Sequence, residues 1–217
     1  MNIAHEAARW IPLFPHEETL FILDAVVRCS VNLRKKHPTE RETRISARLR
    51  HLLNRDAQLR KRPIQLDPEA DVYDEETDEE NPLGRLDFRF LISTGIRKPW
   101  PYFAIEAKRL HVAFPSGWKS LVSEYVTGEQ GMMCFIDQRY ARGLLSGGML
   151  GYVFDGNTND ARTSVAERLA ANRERLKCAS PFKLVPSDIL PADSGVTESI
   201  HTLAHGDFVI YHLFVPV

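Results

Sequence analysis

Two runs of alternating residues constrain the fold of this chain more than any other feature. In Arg85–Ile92, apolar side chains fall at Leu86, Phe88, Phe90 and Ile92, and Arg85, Asp87 and Arg89 lie between them. In Tyr102–Leu110, Phe103, Ile105 and Ala107 alternate with Ala104, Glu106 and Lys108. A period of two marks extended strands with two distinct faces. Gly95 to Pro101 between them is turn chemistry, so the pair reads as a hairpin. If its centre lies between Ile96 and Arg97, residues whose numbers add to 193 stand opposite each other, as Asp87 and Glu106 do.

Opposed residues on one face hold their Cβ atoms about 4.5–5.5 Å apart. Two carboxylates at that distance raise each other's pKa unless a cation sits between them. Mg²⁺ suits such a pair, because it takes hard oxygen ligands and commonly uses one or two carboxylates with waters and substrate phosphate. Lys108 lies two residues beyond Glu106 on the same face, where its ammonium reaches a phosphate or an attacking water. Arg85 and Arg89 flank Asp87, and Arg109 follows the lysine. That cationic surround suits a phosphodiester.

The stretch Gly84-Arg85-Leu86-Asp87, followed after eighteen residues by Ile105-Glu106-Ala107-Lys108, resembles the PD-(D/E)XK nuclease superfamily. The resemblance spans roughly half the chain. It implies a restriction-endonuclease-like fold and Mg²⁺-dependent hydrolysis of DNA, with Mn²⁺ as an expected substitute. Asp87 and Glu106 would be the metal ligands and Lys108 the catalytic lysine. Many members add a glutamate from the first core helix, and Glu42 is the candidate here. Leu86 stands where many members have proline. Glu42 has a competing role, since Thr39-Glu40-Arg41-Glu42 also fits a capping box.

The rest of the chain fits an α/β domain with a mixed sheet. Apolar spacing predicts a helix over Glu17–Lys35 and a second from Thr39 to Pro63, with Ile45, Leu49, Leu52 and Leu53 as its stripe. Pro115-Ser116-Gly117 announce a helix from Trp118 to Val126, and Gly128–Gly131 separate it from another reaching Tyr140 or Arg142. Gly147 and Gly148 read as a break before a strand, Met149–Phe154. Asn157 to Asp160 then offer a cap for a helix with Val165, Leu169 and Leu176. Ser199–Val217 reads as a hairpin turning at His205, Gly206 and Asp207. All 217 residues form one nuclease-like domain in this reading: an N-terminal helical extension (1–38), a motif-bearing core (39–154) carrying an acidic loop (67–82), and a C-terminal helix and hairpin (155–217).

The net charge of −1 conceals two opposed blocks. Arg28–Arg62 holds twelve Lys or Arg against three acids, and Asp67–Glu80 holds nine acids and no base. The basic block reads as a surface for a nucleic-acid backbone, and the acidic one as an exposed segment able to dock on it. Three scattered cysteines fit neither a disulfide framework nor a zinc site, so a reducing, cytoplasmic setting without membrane association is expected. Gln130, Gln138 and Tyr140 are read as surface and core, the histidines of the terminal hairpin as packing residues. The functional expectation is a metal-dependent endonuclease acting on DNA, an effector of restriction or phage defence, restrained or activated by a partner protein or a homo-oligomer. The alternative is a catalytically silent subunit of the same fold that binds nucleic acid or protein.

Overall fold

The structure, a computed structural model, describes residues 14–68, 71–73, 82, 84–92, 101–191 and 194–217. Its first helix, α1 (His16–Ser30), follows Pro15 and carries Glu17 and Glu18 in its first turn, where acids complement the helix dipole. It ends short of Lys35, with Val31 as its C-cap. Ile22, Leu23 and Val26 make its buried face. Helix α2 (Glu42–Arg55) buries Ile45, Leu49 and Leu53, and a 3₁₀ turn, Leu59–Lys61, closes it.

Strands β1 (Ile64–Pro68), β2 (Asp71–Val72), β3 (Gly84–Arg85) and β4 (Phe88–Ile92) lead into the long β5 (Tyr102–Leu110). A two-stranded ribbon follows, β6 (Val112–Phe114) and β7 (Gly117–Lys119). Two short helices, α3 (Val122–Val126) and α4 (Met133–Ile136), connect to β8 (Ser146–Val153). Helix α5 (Thr158–Ala171) is capped by Asn157, whose side chain accepts the Asp160 N–H. Strands β9 (Val185–Pro186), β10 (Thr197–Leu203) and β11 (Gly206–Pro216) complete the chain.

Seven strands form one mixed sheet in the order β1-β4-β5-β8-β11-β10-β9. β5, β8 and β11 run parallel at its centre. The expected terminal hairpin is β10–β11, and β11 lies inside the sheet, between β8 and β10. One face is covered by α1 and α2 over Phe88, Phe90, Phe103, Ile105 and Tyr152. The other is covered by α3, α4 and α5 over Ala104, Leu110, Met149 and Val153. Among the described residues, no helix is long and apolar enough to cross a membrane.

Several sequence expectations change here. Pro115-Ser116-Gly117 turn a ribbon instead of starting a helix: Phe114 pairs with Gly117, whose φ of +118° disfavours a side chain. Gly147 and Gly148 lie within β8 and do not break it. They leave room for rings and branched chains, since a Cβ on Gly147 would stand 2.5 Å from Phe135 Cε1. Gly147→Ala should therefore destabilise by about 1–3 kcal/mol through overpacking, read as a lower urea midpoint at unchanged slope. Asp67 and Asp71, expected in a loop, belong to β1 and β2 and pair with Arg89 and Arg85. The acidic residues 74–80 and the turn residues 95–100 lie outside the described residues.

Candidate functional site

The hairpin register is the expected one: Phe88 pairs with Ile105, Arg89 with Ala104, Phe90 with Phe103 and Leu91 with Tyr102. Each pair adds to 193. The ladder stops there, however, because β4 begins at Phe88 and the chain bends at Asp87. Leu86 consequently packs with Ala104 and Tyr140 on the opposite face from Phe88, against the simple alternation. Beyond Ile105, β5 is paired only with β8.

Carboxylates take the place of the departed strand. Asp87 Oδ2 accepts the Ala107 N–H at 2.9 Å. Glu42 Oε2 accepts the Arg109 N–H at 3.1 Å. Two alternate backbone donors on the open edge of β5 thus find side-chain partners, as buried N–H groups must. The capping-box role for Glu42 does not hold: the N-cap is Arg41, it makes no side-chain cap bond, and Glu42 opens the helix. Glu40 is instead taken by the Lys36 N–H and by Arg48.

All four expected residues, Glu42, Asp87, Glu106 and Lys108, line one cleft of about 410 Å³, together with Thr43, Arg85, Leu86 and Gln130. Lys108 Nζ lies 2.6 Å from Glu106 Oε1, 2.8 Å from the Ala107 carbonyl and 3.5 Å from Glu42 Oε1. Burial pushes the Glu106 carboxyl up to about 8, with Asp87 and Glu42 adding to the rise and Lys108 opposing it. Burial also raises Glu42. Burial disfavours the Lys108 ammonium, but Glu106, Glu42 and Asp87 together outweigh it and hold the charge.

Among the described residues, Glu42, Asp87 and Glu106 do not bring three donor atoms within 4.8 Å of one another, so a hard divalent cation here would take one or two carboxylates and complete its shell with water or phosphate. One buried atom supports the fit: Glu106 Oε2 has no hydrogen-bond partner. An unpartnered buried carboxylate oxygen is costly in a folded protein, and a cation would satisfy it. Asp87 and Glu106, with Glu42 beside them, are the residues that would hold it.

Residues not singled out from sequence complete the surround. Along α2, Ser46 and Arg50 follow Glu42 at helical spacing on one face. Ser46 Oγ meets the buried Tyr152 hydroxyl at 3.0 Å, and Arg50 donates to the Asp87 carbonyl at 3.3 Å. The stripe was hidden because its polar members resemble a solvated face. Gln130, read as surface, is exposed and lines the cleft, and Tyr140, read as core, is fully buried behind it. The Tyr140 hydroxyl lies 3.2 Å from the Arg85 carbonyl and 3.4 Å from Gln130 Oε1. Arg109 turns away, its guanidinium donating to the Thr39 and Glu40 carbonyls.

A second donor group was not anticipated. His111 Nδ1 lies 2.9 Å from Asp155 Oδ2 and 3.9 Å from Asp160 Oδ2. All three donor atoms fall within 4.8 Å of one another, near enough to share an ion. The same geometry is met by a plain His–Asp hydrogen bond beside an acid in the first turn of α5, where acids are favoured. Its members are too far apart in sequence to form a motif.

No protein-family model, no curated protein and no solved structure matches this chain.

Proposed function

We propose that the chain is a divalent-metal-dependent nuclease of the restriction-endonuclease-like kind, hydrolysing phosphodiester bonds of DNA. The observation that carries this reading is the convergence of Asp87, Glu106, Glu42 and Lys108 on one cleft where the sheet splits, with Glu106 Oε2 buried and unpartnered. The element order α2, β4–β5 hairpin, helical connection and β8 parallel to β5 agrees with the superfamily that the motif resembles. Restriction or phage defence is the setting that this resemblance implies.

A bound divalent cation would neutralise a phosphate and acidify a coordinated water. Asp87 and Glu106 would hold that cation, and Glu42 fixes the edge of β5 by accepting the Arg109 N–H. Lys108, whose ammonium rests 2.6 Å from Glu106 Oε1, would be placed to donate to a phosphate oxygen or to the attacking water were Glu106 engaged by a cation. Arg41 and Arg44, exposed at the start of α2, flank Glu42 and Thr43 on the cleft wall. They give the backbone a sequence-independent, salt-sensitive hold. Arg28, Arg48 and Arg62 contribute less, being engaged by Asp24 and Asp56, by Glu40, and by Glu17 and Glu18.

The test is cleavage of plasmid, linear and single-stranded DNA by the parent, Asp87→Ala and Lys108→Ala, with and without Mg²⁺ or Mn²⁺. Cation-dependent cleavage lost in both folded variants is expected. Intact DNA in every arm, with binding retained, would favour the silent binding subunit. Glu42→Gln keeps an acceptor for the Arg109 N–H but removes a charge, so it should weaken Mn²⁺ binding while costing under about 1 kcal/mol of stability, read by calorimetry.

A further inference from the structure

Just past Lys108, the chain leaves β5 through His111, whose N–H donates to the Ser120 carbonyl at 3.0 Å and closes the base of the β6–β7 ribbon. Its imidazole is fully buried, and the Trp118 ring leans on it with centroids 5.3 Å apart. Backbone and ring are both held. The Nε2 atom, also buried, has no hydrogen-bond partner. Among the described residues, the polar contacts of the ring run through Nδ1, which is aimed at Asp155 and Asp160.

Those two acids come from the loop after β8 and the helix that it starts. The Phe154 N–H donates to the Leu110 carbonyl at 2.9 Å, which sets the end of β8 beside the end of β5. Asp155 follows, its Oδ1 accepting the Asn157 N–H at 3.0 Å and its Oδ2 standing 2.9 Å from His111 Nδ1. Asp160, in the first turn of α5, brings its Oδ2 to 3.9 Å from the same nitrogen. One imidazole N–H satisfies Asp155 but leaves the second carboxylate without a counter-charge. Two carboxylates so near repel unless a cation sits between them.

Among the described residues, this is the one group that brings three donor atoms of His, Cys or acid within 4.8 Å. Atoms so spaced share a centre at most about 2.4 Å from each, against about 2.0–2.2 Å for Zn–N and Zn–O bonds. The exposed Asp160 side chain can turn to close the remainder and gives an ion a way in from water. An imidazole with two carboxylates suits Zn²⁺, whereas the all-oxygen cleft suits Mg²⁺. We infer that His111, Asp155 and Asp160 form a second cation site, which takes Zn²⁺ with water as its fourth ligand and clamps the end of β5 to the start of α5. The inference does not rest on the nuclease reading.

The test titrates Zn²⁺ into EDTA-stripped, dialysed protein by calorimetry, with thermal unfolding alongside. The parent should take up one Zn²⁺ per chain at this site, and Asp155→Asn and Asp160→Asn should each weaken that binding by about tenfold or more. Partners that merely orient a ligand are already worth about 10–100-fold. Zn²⁺ should raise the thermal midpoint of the parent and of Asp87→Ala more than that of either asparagine variant. Asp160 is exposed, so its variant keeps the test open if Asp155→Asn misfolds. Equal Zn²⁺ affinity in parent and Asp160→Asn, or no Zn²⁺ uptake by the parent, overturns the inference. Binding lost in Asp87→Ala but kept in Asp160→Asn also overturns it, by assigning the ion to the cleft, and leaves the nuclease reading standing.

Discussion

Lys108→Met is expected to lower cleavage by about 10²–10⁴-fold, the scale for losing one positioned charge or proton-transfer group, and at the same time to weaken the metal-free fold. The two effects have one origin. Lys108 Nζ is the counter-charge that Glu106 and Glu42 face at 2.6 and 3.5 Å, in a place where all three are largely buried. Removing one partner of a buried pair typically costs about 3–5 kcal/mol, because a charge is left uncompensated. The loss should fall towards the lower end, since Glu106, already raised to about 8, can take up a proton. The deficit in thermal midpoint should be largest in EDTA at about pH 8.5, and smaller near pH 6, where protonation neutralises the carboxyl. Mg²⁺ or Mn²⁺ should close it, by supplying the missing positive charge. A deficit that no cation repairs would count against a metal at Asp87 and Glu106.

Acid should unfold the protein through a second buried group, far from the cleft. His201 Nδ1 faces the Leu176 carbonyl at 2.7 Å, so that nitrogen carries the proton and donates. Its Nε2 then accepts from Ser199 Oγ at 2.7 Å, and Ser199 Oγ accepts from His212 Nε2 at 2.8 Å. His212 Nδ1, left as acceptor, shares the Tyr125 hydroxyl proton with the Met149 carbonyl, at 3.0 and 3.2 Å. One carbonyl thus sets both tautomers and keeps both rings neutral. Burial lowers His201 to about 4 and His212 to about 3. For depressed histidines the sign is definite: stability is complete above the unfolded value near 6.5 and falls as pH drops below it. By pH 5 the two together should cost on the order of 4 kcal/mol, a large share of a typical domain's stability.

Glu106 works the other way. Its raised pKa means that acidification from about 8 towards 4.5 relieves a strain, offsetting part of the histidine loss. The expectation is therefore sharpest in Glu106→Gln, where urea midpoints from pH 7.5 to 5 should drop steeply, while the parent's drop is shallower. Glu40, held at about 2 chiefly by its hydrogen bonds from Arg48, loses its contribution only below about pH 4.5 and does not confuse that window. A flat profile in Glu106→Gln would show that the neutral network is misassigned.

The hairpin was legible because alternation and turn chemistry specify strand register closely. Phe88, Phe90, Phe103 and Ile105 needed only their spacing. Glu42 was ambiguous because a glutamate near a helix start serves a cap or a site equally well, and only the actual first residue of α2 separates the two. The face change at Leu86 could not be read, since nothing in Arg85–Ile92 marks where β4 leaves β5. Gln130 is exposed and Tyr140 is core, as read; that Gln130 lines the cleft was not legible because its loop lies between α3 and α4, whose positions depend on packing. The ribbon was mistaken for a helix start because proline, serine and glycine serve both.

A strand that loses its neighbour midway presents a row of amide hydrogens to any extended chain that drifts near, and such edges seed polymerisation. β5 has that edge beyond Ile105. Asp87 and Glu42 already occupy its amides, and an invading strand would have to displace two carboxylates and bury Lys108 against them without water. The acidic cleft is thereby a safeguard: substitutions that empty it of charge should make the purified protein prone to fibrils.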